Sequence, residues 1–258
     1  MPFFILACDI GNSTVGLGVL DPLRLLASDS VPMDPNQSEA HYARTIRTLL
    51  SAASLAEADL SDIIISSVVP SLTPIFRNLS TNQFDVDAVI VSPTLDTGLN
   101  FSRMPFPQQI GNDRIVNAAY AYAQYRQAVI VVDCGTATTL SVVNGQGEFL
   151  GGAIAPGLQT SAAALAQSTA QLPSVPLRCP PQAIGPDTIS AIQSGLLYGH
   201  AGLIDHLVQR IIKELCEPSV VRATGGVSPL LSPLCSTLTA TLPQLSLEAL
   251  GWLYTRAS

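Results

Sequence analysis

A short motif that occurs twice constrains the fold of this chain more than any other feature. Asp9–Thr14 reads DIGNST and Asp133–Thr138 reads DCGTAT, so both copies fit the pattern D-x-G-[NT]-[SA]-T. Each copy lies between two apolar segments, which is typical of a strand, a tight turn and a second strand. The repeat therefore predicts two similar α/β units that face each other. The flanking predicted strands are Phe3–Ala7, Val15–Leu20, Ala128–Val132 and Leu140–Val143.

Other segments complete the two predicted units. Ser38–Leu50 has apolar residues at helical spacing and Ser38 as its N-cap. Residues 92–109 are rich in Pro, Gly, Asn and Gln and predict a long functional loop. We place a first domain at 1–125 plus the C-terminal helix 246–258, and a second domain at 126–245. The remaining predicted strands are Leu23–Ser30, Ile63–Val69, Ala88–Val91, Phe149–Ile154 and 219–223, and the remaining predicted helices are Pro74–Leu79, Asp113–Tyr125, 158–170, 187–215 and Ser246–Ala257.

The charge balance excludes several classes of protein. The net charge is −7, the pI is about 4.8, and the 12 Lys and Arg residues are scattered, so we expect no nucleic-acid partner. The one lysine, Lys213, follows neither a glycine-rich loop nor a V-A-I-K strand. A P-loop NTPase and a protein kinase are therefore excluded, because each needs a lysine in that context.

The apolar segments and cysteines limit the cellular setting. No apolar run reaches the ~18–20 residues that span a bilayer, so we expect no membrane association. The segment Met1–Cys8 lacks a basic region and Asp9 interrupts it, which favours the first strand of a cytoplasmic protein over a signal peptide. The 5 cysteines form no C-x-x-C pair and the 3 histidines show no metal-ligand spacing. We therefore expect reduced thiols and no zinc site.

Asp9 and Asp133 each end a buried strand and enter a turn that contains glycine. The backbone N–H groups of such a turn can approach a phosphate closely. A carboxylate beside them would repel the phosphate unless a divalent cation lies between the two, and Mg²⁺ binds one or two carboxylates in this way, usually through water. The pair predicts Mg²⁺–phosphate machinery, although either aspartate alone could be an ordinary turn-capping residue.

Gly111-Asn112-Asp113-Arg114 opens a predicted helix just before the second copy of the motif. Arg114 can bind a carboxylate or phosphate through two hydrogen bonds, and Asp113 can accept a proton from a substrate hydroxyl. The same two residues could equally form a local surface ion pair. Two glycine-rich segments, Gly151–Gly157 and Thr224–Gly226, fit a nucleotide contact and also fit a tight corner that binds no ligand.

These motifs, taken in order, strongly resemble type III pantothenate kinase over nearly the whole chain. The resemblance implies a duplicated ribonuclease-H-like α/β fold of the actin and Hsp70 type, with an active-site cleft between the two domains. It implies transfer of the ATP γ-phosphoryl group to the primary hydroxyl of pantothenate, which is the first step of coenzyme A synthesis. It also implies a homodimer that uses Mg²⁺ and a monovalent cation, K⁺ or NH₄⁺. The residues that carry it are Asp9–Thr14, Gly111–Arg114, Asp133–Thr139, Gly151–Gly157, Gly185–Gly195 and Thr224–Gly226.

The resemblance also implies roles for single residues. Asp113 would be the general base, Asp9 would position Mg²⁺ and phosphate, and Asp133 would bind the monovalent cation. Arg114 would lie near the carboxylate of pantothenate, and Thr188 would reach pantothenate across the dimer interface. Pantothenate would be bound by Gly111, Asp113, Arg114 and Thr188, and the phosphates of ATP by Asp9, Gly11, Asn12, Ser13, Thr14, Gly135, Thr136, Gly225 and Gly226.

Three departures from the family pattern stand out. Met104–Pro107 lies where the family has a tyrosine, Asn112 replaces a small or apolar residue, and the first loop reads Asn-Ser-Thr where Asn-Thr is usual. Three other functions stay open. The chain could phosphorylate another small hydroxyl substrate, it could be a two-metal hydrolase, or it could be a non-enzymatic accessory protein that keeps the kinase fold.

Overall fold

The chain divides into two compact units, seen here in a computed structural model that describes residues 3–21, 24–92 and 95–257. The first unit contains the residues up to Leu99, Phe106–Tyr120 and the residues from Gln244 onward. The second contains Asn100–Pro105 and Ala121–Pro243. The domain boundary expected near residue 125 stays a prediction. Parts of the predicted segments lie outside the described residues, namely Met1, Pro2, Leu23, Pro93, Thr94 and Ser258.

The described elements follow the predicted order of strands and helices. The strands are β1 Phe4–Ile10, β2 Thr14–Asp21, β3 Arg24–Pro32, β4 Leu60–Ser67, β5 Ala88–Ile90, β6 Ala128–Cys134, β7 Ala137–Val143, β8 Phe149–Pro156 and β9 Ser219–Thr224. The α-helices are α1 Glu39–Ala52, α2 Thr73–Phe84, α3 Asn112–Tyr125, α4 Leu158–Gln167, α5 Thr188–Leu215, α6 Ser228–Leu231 and α7 Leu245–Ala257. Single 3₁₀ turns lie at Glu57–Asp59, Pro107–Gln109 and Ser232–Leu234.

The first sheet has the order β3-β2-β1-β4-β5, with β1 antiparallel to β2 and parallel to β4. Side chains alternate between its faces, because successive residues of a strand point to opposite sides. Leu6, Cys8 and Ile10 of β1 face a core built with α1 and α2. Ile5 and Ala7 face a second core built with α7 and with Val116 of α3. Asp9 therefore points to the side that α3 and α7 cover.

Two local signals position the helices as the sequence predicts. Ser38 is the N-cap of α1, and its side chain accepts a hydrogen bond from the backbone N–H of His41. Asp187 caps the 28-residue helix α5 and accepts from the backbone N–H of Ser190 at 2.9 Å. Such caps satisfy N–H groups that the first helical turn leaves without partners.

The second sheet has the order β8-β7-β6-β9, with β6 antiparallel to β7 and parallel to β9. Its core is formed with α5, which contributes Leu197, Ile204 and Val208 as buried side chains. The arrangement of β6, β7 and β9 repeats that of β1, β2 and β4. Asp9 and Asp133 are each the second-last residue of the corresponding strand. The prediction of two similar α/β units is therefore confirmed.

The structure corrects the predicted turns. Each strand continues for one residue beyond its aspartate, so each turn is shorter than its motif and begins at Gly11 or Gly135. Gly151 and Gly152 lie inside β8, in agreement with the predicted strand Phe149–Ile154, with φ of 103° and 151°. A register shift between Val142 and Val143 makes room for this backbone, which favours glycine. Helix α6, which is one turn long, was missed.

The packing of α7 can be tested through Tyr254. Its hydroxyl donates to Asp62 Oδ2 of β4 at 2.6 Å, and its ring is 6% exposed. Tyr254→Phe should lower the free energy of unfolding by about 1–3 kcal/mol, because a hydrogen bond to a charged acceptor is lost. Urea unfolding of the wild type and the variant measures this. An unchanged midpoint would contradict the anchoring of α7 to β4.

Candidate functional site

Asp9 lies where β1 approaches its end, half-buried against the layer formed by α3 and α7. Burial, and after it the charge of Asp113, raise the pKa of Asp9 to about 7 against the opposing effect of a hydrogen bond from the Ser246 hydroxyl. The two carboxylates are therefore close enough to repel each other. A site that holds two such groups together suits a cation or the transfer of a proton.

Gly111 makes space for the carboxylate of Asp113, which is in the first turn of α3. A Cβ on Gly111 would overlap Asp113 Oδ1, so any larger residue would displace the side chain. This close approach explains why a glycine precedes Asp113 by two residues. The glycine is therefore part of the site's geometry, as the G-x-D-R motif indicates.

Asn112 and Arg114 flank Asp113. Asn112 Nδ2 donates to the carbonyl oxygen of Val91 at 3.0 Å, so it ties the start of α3 to the residue after β5. This contact gives a physical reason for Asn112, where the family has a small or apolar residue. Burial lowers the pKa of Arg114 while the Asp113 charge opposes that shift. A guanidinium still carries its charge at neutral pH, so Arg114 can bind an anion.

The turn between β1 and β2 carries the first predicted phosphate-binding motif. The backbone N–H of Gly11 donates to the carbonyl oxygen of Thr14 at 2.9 Å, which closes the turn. Asn12, Ser13 and Thr14 are exposed. Their hydroxyl and amide groups are therefore accessible to a ligand, as the sequence predicts for phosphate-binding groups.

In the second unit, a glycine from the segment after β9 packs against the carboxylate of the strand aspartate. Gly225 follows β9 with φ of 88°, and a Cβ there would lie 2.5 Å from Asp133 Oδ1 and 2.6 Å from the carbonyl oxygen of Cys134. The Asp133 carboxylate thus lies directly against the Gly225 backbone. Gly226 lies beside it with open space around its Cβ position. The structure brings the predicted residues Asp133, Gly225 and Gly226 together.

The turn at Gly135 and Thr136 is held by the start of α4. The backbone N–H of Gly157 donates to the Thr136 carbonyl oxygen at 3.0 Å, and Thr160 Oγ1 donates to the same oxygen at 2.6 Å. A Cβ on Gly157 would overlap the carbonyl groups of Gly135 and Thr136. Gly157 therefore approaches its own chain closely, which is the ligand-free alternative left open for this segment.

A buried polar pair lies behind the second turn. Thr138 Oγ1 and His200 Nε2 are 2.8 Å apart, and the two residues are 0% and 6% exposed. Burial lowers the pKa of His200, so its ring is neutral at physiological pH. The pair joins α5 to β7 and leaves His200 as a satisfied core histidine.

The cysteines beside the two aspartates serve packing. Cys8 and Cys134 are 0% exposed. Burial raises the pKa of Cys134 to about 12, and it raises that of Cys8 strongly. Both thiols stay protonated at neutral pH, so neither is a nucleophile.

Thr188 belongs to the second unit and lies at the N-terminal end of α5. It is the first residue of α5 and is exposed, and its neighbour Ile189 is 50% exposed. Gly185 lies against the first turn of this helix, where a Cβ would overlap Ala191. The segment 185–195 therefore forms a close-packed helix start that presents Thr188 to its surroundings.

The carboxylates fit a magnesium ion. Within the described part of the chain, no three His, Cys, Asp or Glu side chains are grouped to hold a metal. Mg²⁺ needs fewer, because it takes one or two carboxylates together with water and substrate phosphates. The Asp9–Asp113 pair meets this need, since a dication would relieve the repulsion that raises the pKa of Asp9.

The motif search missed three polar residues of the first unit. Ser246 donates to Asp9, although the sequence marked it only as the start of a helix. Ser66 pairs with Asp9 in the parallel register of β1 and β4. Asn117 follows Asp113 by one helical turn. The spacing to Asp113 could have indicated Asn117, whereas Ser66 and Ser246 required the tertiary structure.

Comparison with known proteins identifies relatives of this chain. A family model for type III pantothenate kinase matches residues 5–210. A type III pantothenate kinase from Citrifermentans bemidjiense is 40% identical over 252 residues, which cover 98% of this chain and 99% of the relative.

Solved structures share the fold at lower identity. A protein from Campylobacter jejuni described as a Baf family transcriptional activator has a TM-score of 0.55 at 19% identity, covering 97% of each chain. A ROK hexokinase from Thermus thermophilus has a TM-score of 0.52 at 13% identity, covering 99% of this chain and 100% of the hexokinase. These likenesses show a two-domain α/β fold of the sugar kinase, Hsp70 and actin type.

The strain between Asp9 and Asp113 predicts a stabilising substitution. Asp9 is harder to ionise in the folded protein than in the unfolded chain, so it costs stability as the pH rises above its ordinary pKa of 3.8, and the cost is complete above about pH 7. Asp9→Asn should therefore raise Tm at pH 8 by ~2 °C or more without ligand, and by less at pH 5.5.

Thermal unfolding at the two pH values, with exposed Asp29→Asn of β3 as control, measures this effect. A lower Tm for Asp9→Asn at pH 8, or a gain equal to that of the control, would refute the repulsion.

The Gly225 turn predicts that alanine substitutions at the neighbouring residues Gly225 and Gly226 have different effects on stability. Gly225→Ala forces a Cβ against Asp133 at a positive φ, and should cost about 1–3 kcal/mol of unfolding free energy. Gly226→Ala meets nothing within 4 Å and should change stability by less than ~0.5 kcal/mol. Denaturant titration compares the two, and equal costs would contradict the described contact.

Proposed function

The chain belongs to the type III pantothenate kinase family, and we propose that it transfers the γ-phosphoryl group of ATP to the primary hydroxyl of pantothenate. The product is 4′-phosphopantothenate, and the reaction is the first step of coenzyme A synthesis. The observation that carries this proposal is the pair of neighbouring carboxylates, Asp9 near the end of the central strand β1 and Asp113 in the first turn of α3. Phosphoryl transfer asks a protein mainly to position its reactants and to balance their charge, and this pair serves both needs.

Asp113 is the general base in this proposal. Its carboxylate accepts the proton of the pantothenate hydroxyl as the oxygen attacks the γ-phosphorus. Gly111 supports the assignment, because its missing side chain leaves the space that Asp113 Oδ1 occupies. Arg114, next along α3, binds the carboxylate of pantothenate. A guanidinium suits this role because it offers two parallel donors to a carboxylate.

Asp9 holds Mg²⁺ through water and so positions the phosphates of ATP. When bound, Mg²⁺ neutralises charge on the transferred phosphoryl group. The exposed turn residues Asn12, Ser13 and Thr14 donate hydrogen bonds to phosphate oxygens. Gly11 contributes by shaping the turn, because its backbone N–H closes it on the carbonyl oxygen of Thr14. The chain's low lysine content is tolerated because backbone N–H groups and cations supply the positive potential.

In this proposal the second unit binds a monovalent cation and further phosphate oxygens of ATP. Asp133 holds a monovalent cation, K⁺ or NH₄⁺, and the Thr136 hydroxyl with the backbone of Gly135, Gly225 and Gly226 contacts phosphate. Support comes from the contact of Asp133 with the Gly225 turn, which places a carboxylate beside exposed backbone. A carboxylate with a hydroxyl group nearby is a donor set that hard cations prefer.

A homodimer completes the pantothenate site in this proposal. Four large apolar side chains are exposed among the described residues of the second unit, Ile154 at 67%, Ile184 at 83%, Ile189 at 50% and Ile212 at 36%. Where such residues form a contiguous patch, the patch marks a surface that another chain covers. Thr188 precedes Ile189 in the chain. A dimer interface that covers Ile189 would therefore place the Thr188 hydroxyl at the pantothenate site of the partner subunit.

No helix in the described ranges is long and apolar enough to cross a bilayer. We place the enzyme in the cytoplasm, where ATP and pantothenate are available. The non-enzymatic alternative is supported by the Campylobacter jejuni structure, which is described as a transcriptional activator. Asp9, Asp113 and Asp133 are all retained here, and this retention favours catalysis over a purely structural role.

The proposal is tested by Asp113→Asn. Turnover of pantothenate should fall by about 10²–10⁴-fold, because an amide cannot accept the hydroxyl proton. Tm should not fall, since the substitution removes the charge that repels Asp9. Coupled ADP-release kinetics and thermal unfolding measure both, with Asp29→Asn as the control for the same chemical change on an exposed strand. Full activity in a folded Asp113→Asn protein would remove Asp113 as the base.

A further inference from the structure

Three buried side-chain oxygens lack a hydrogen-bond partner among the described residues: Ser66 Oγ, Asn117 Oδ1 and Ser219 Oγ. Buried polar atoms are nearly always paired with protein or ordered water, because each unpaired group costs free energy. Ser66 and Asn117 are each 2% exposed. Both belong to the first unit, as do the two carboxylates of the candidate site.

Ser66 lies beside Asp9 in the sheet. The two residues are direct partners in the parallel register of β1 and β4, so their side chains point to the same face. Ile64, two residues before Ser66, packs in the core under α3 and α7 together with Ala7. The hydroxyl of Ser66 therefore lies in the layer that contains the Asp9 carboxylate.

Asn117 lies beside Asp113 on α3. Residues four apart on a helix are neighbours on one face, and helical side chains lean toward the N-terminus. Asn117 therefore leans toward the turn that carries Asp113. Val116, the preceding residue, belongs to the same core as Ile64, so this part of α3 lies on the side of the sheet that carries Ser66.

We propose that Asn117 and Ser66 hold one ordered water molecule against the Asp9–Asp113 pair, which makes Asn117 a positioning residue for the carboxylates. The water accepts a hydrogen bond from the Ser66 hydroxyl and donates one to Asn117 Oδ1. It donates its second proton to a carboxylate oxygen of the pair. Three bonds of this kind are typical of a buried water, and they satisfy both orphaned oxygens.

The proposal rests on the proposed function for its kinetic consequence. Asp9 and Asp113 are half-buried, so solvent reaches only part of each residue. A fixed water on the protein side limits the orientations that the carboxylates adopt. A base held in one orientation meets the substrate hydroxyl in a productive geometry more often, and small misplacements of such a group cost rate steeply.

Asn117→Leu tests this assignment because it keeps the branched shape and removes the acceptor. It should lower kcat about 10–100-fold while the KM for ATP and the KM for pantothenate change by less than ~3-fold. Tm should change little, because the leucine fills the same space and the water can leave together with its acceptor. Ser219→Ala, which removes the third orphaned oxygen in the second unit, is the matched control and should leave kcat unchanged.

A double substitution tests whether the two residues share one water. If they do, Ser66→Ala with Asn117→Leu should slow the enzyme no more than the stronger single variant. Multiplied effects would show independent roles and overturn the shared site, and unchanged kcat in Asn117→Leu would overturn the positioning role.

A crystal structure of the wild-type protein supplies a readout that does not depend on activity. We expect a water within ~3.2 Å of both Asn117 Oδ1 and Ser66 Oγ. Its absence would refute the proposal even if the kinase activity is confirmed, or if a variant fails to fold. If the water is present but the wild type has no kinase activity, the proposed function fails and the water site stands.

Discussion

Repulsion between the carboxylates of Asp9 and Asp113 is the constraint on which the first half of the site depends. Burial and the neighbouring charge together raise the pKa of Asp9 to about 7, so the folded protein gives up stability to keep both groups in place. The surrounding structure holds them there through the hydrogen bond from Ser246 and the space left by Gly111. A cation and a phosphorylated ligand would relieve this strain, and such a poised arrangement is common at functional sites.

The two units place a carboxylate in the same way, near the end of a central strand and beside a predicted phosphate-binding turn. In each, an aspartate is the second-last residue of a central strand that is antiparallel to the next strand and parallel to a later one. In the second unit Gly225 makes room for the strand aspartate Asp133, whereas in the first unit Gly111 makes room for Asp113 of α3. The duplicated topology explains why the same motif occurs twice, and the glycines explain why their neighbours tolerate little change.

The fold could be predicted because its signals are local. Apolar runs, the repeated D-x-G motif and the Ser38 cap each reflect a short-range preference, and the structure confirms them. The strand ends were assigned less well, since Asp133 and Cys134 belong to β6, which was predicted to end at Val132. Ser66 and Ser246 could not be found, because their contact with the carboxylate layer depends on a parallel strand pairing and on a helix far along the chain. Local sequence patterns do not predict such pairings between distant segments.

The measurement that tests the account most directly is ADP release by the wild-type protein with Mg·ATP, with and without pantothenate, in K⁺ and in Na⁺. The account predicts ADP formation that requires pantothenate and is much faster in K⁺. Absence of pantothenate-dependent ADP from a folded protein that binds Mg·ATP would contradict the substrate assignment. Absence of both turnover and Mg·ATP binding would contradict the kinase assignment itself and favour the non-enzymatic alternative.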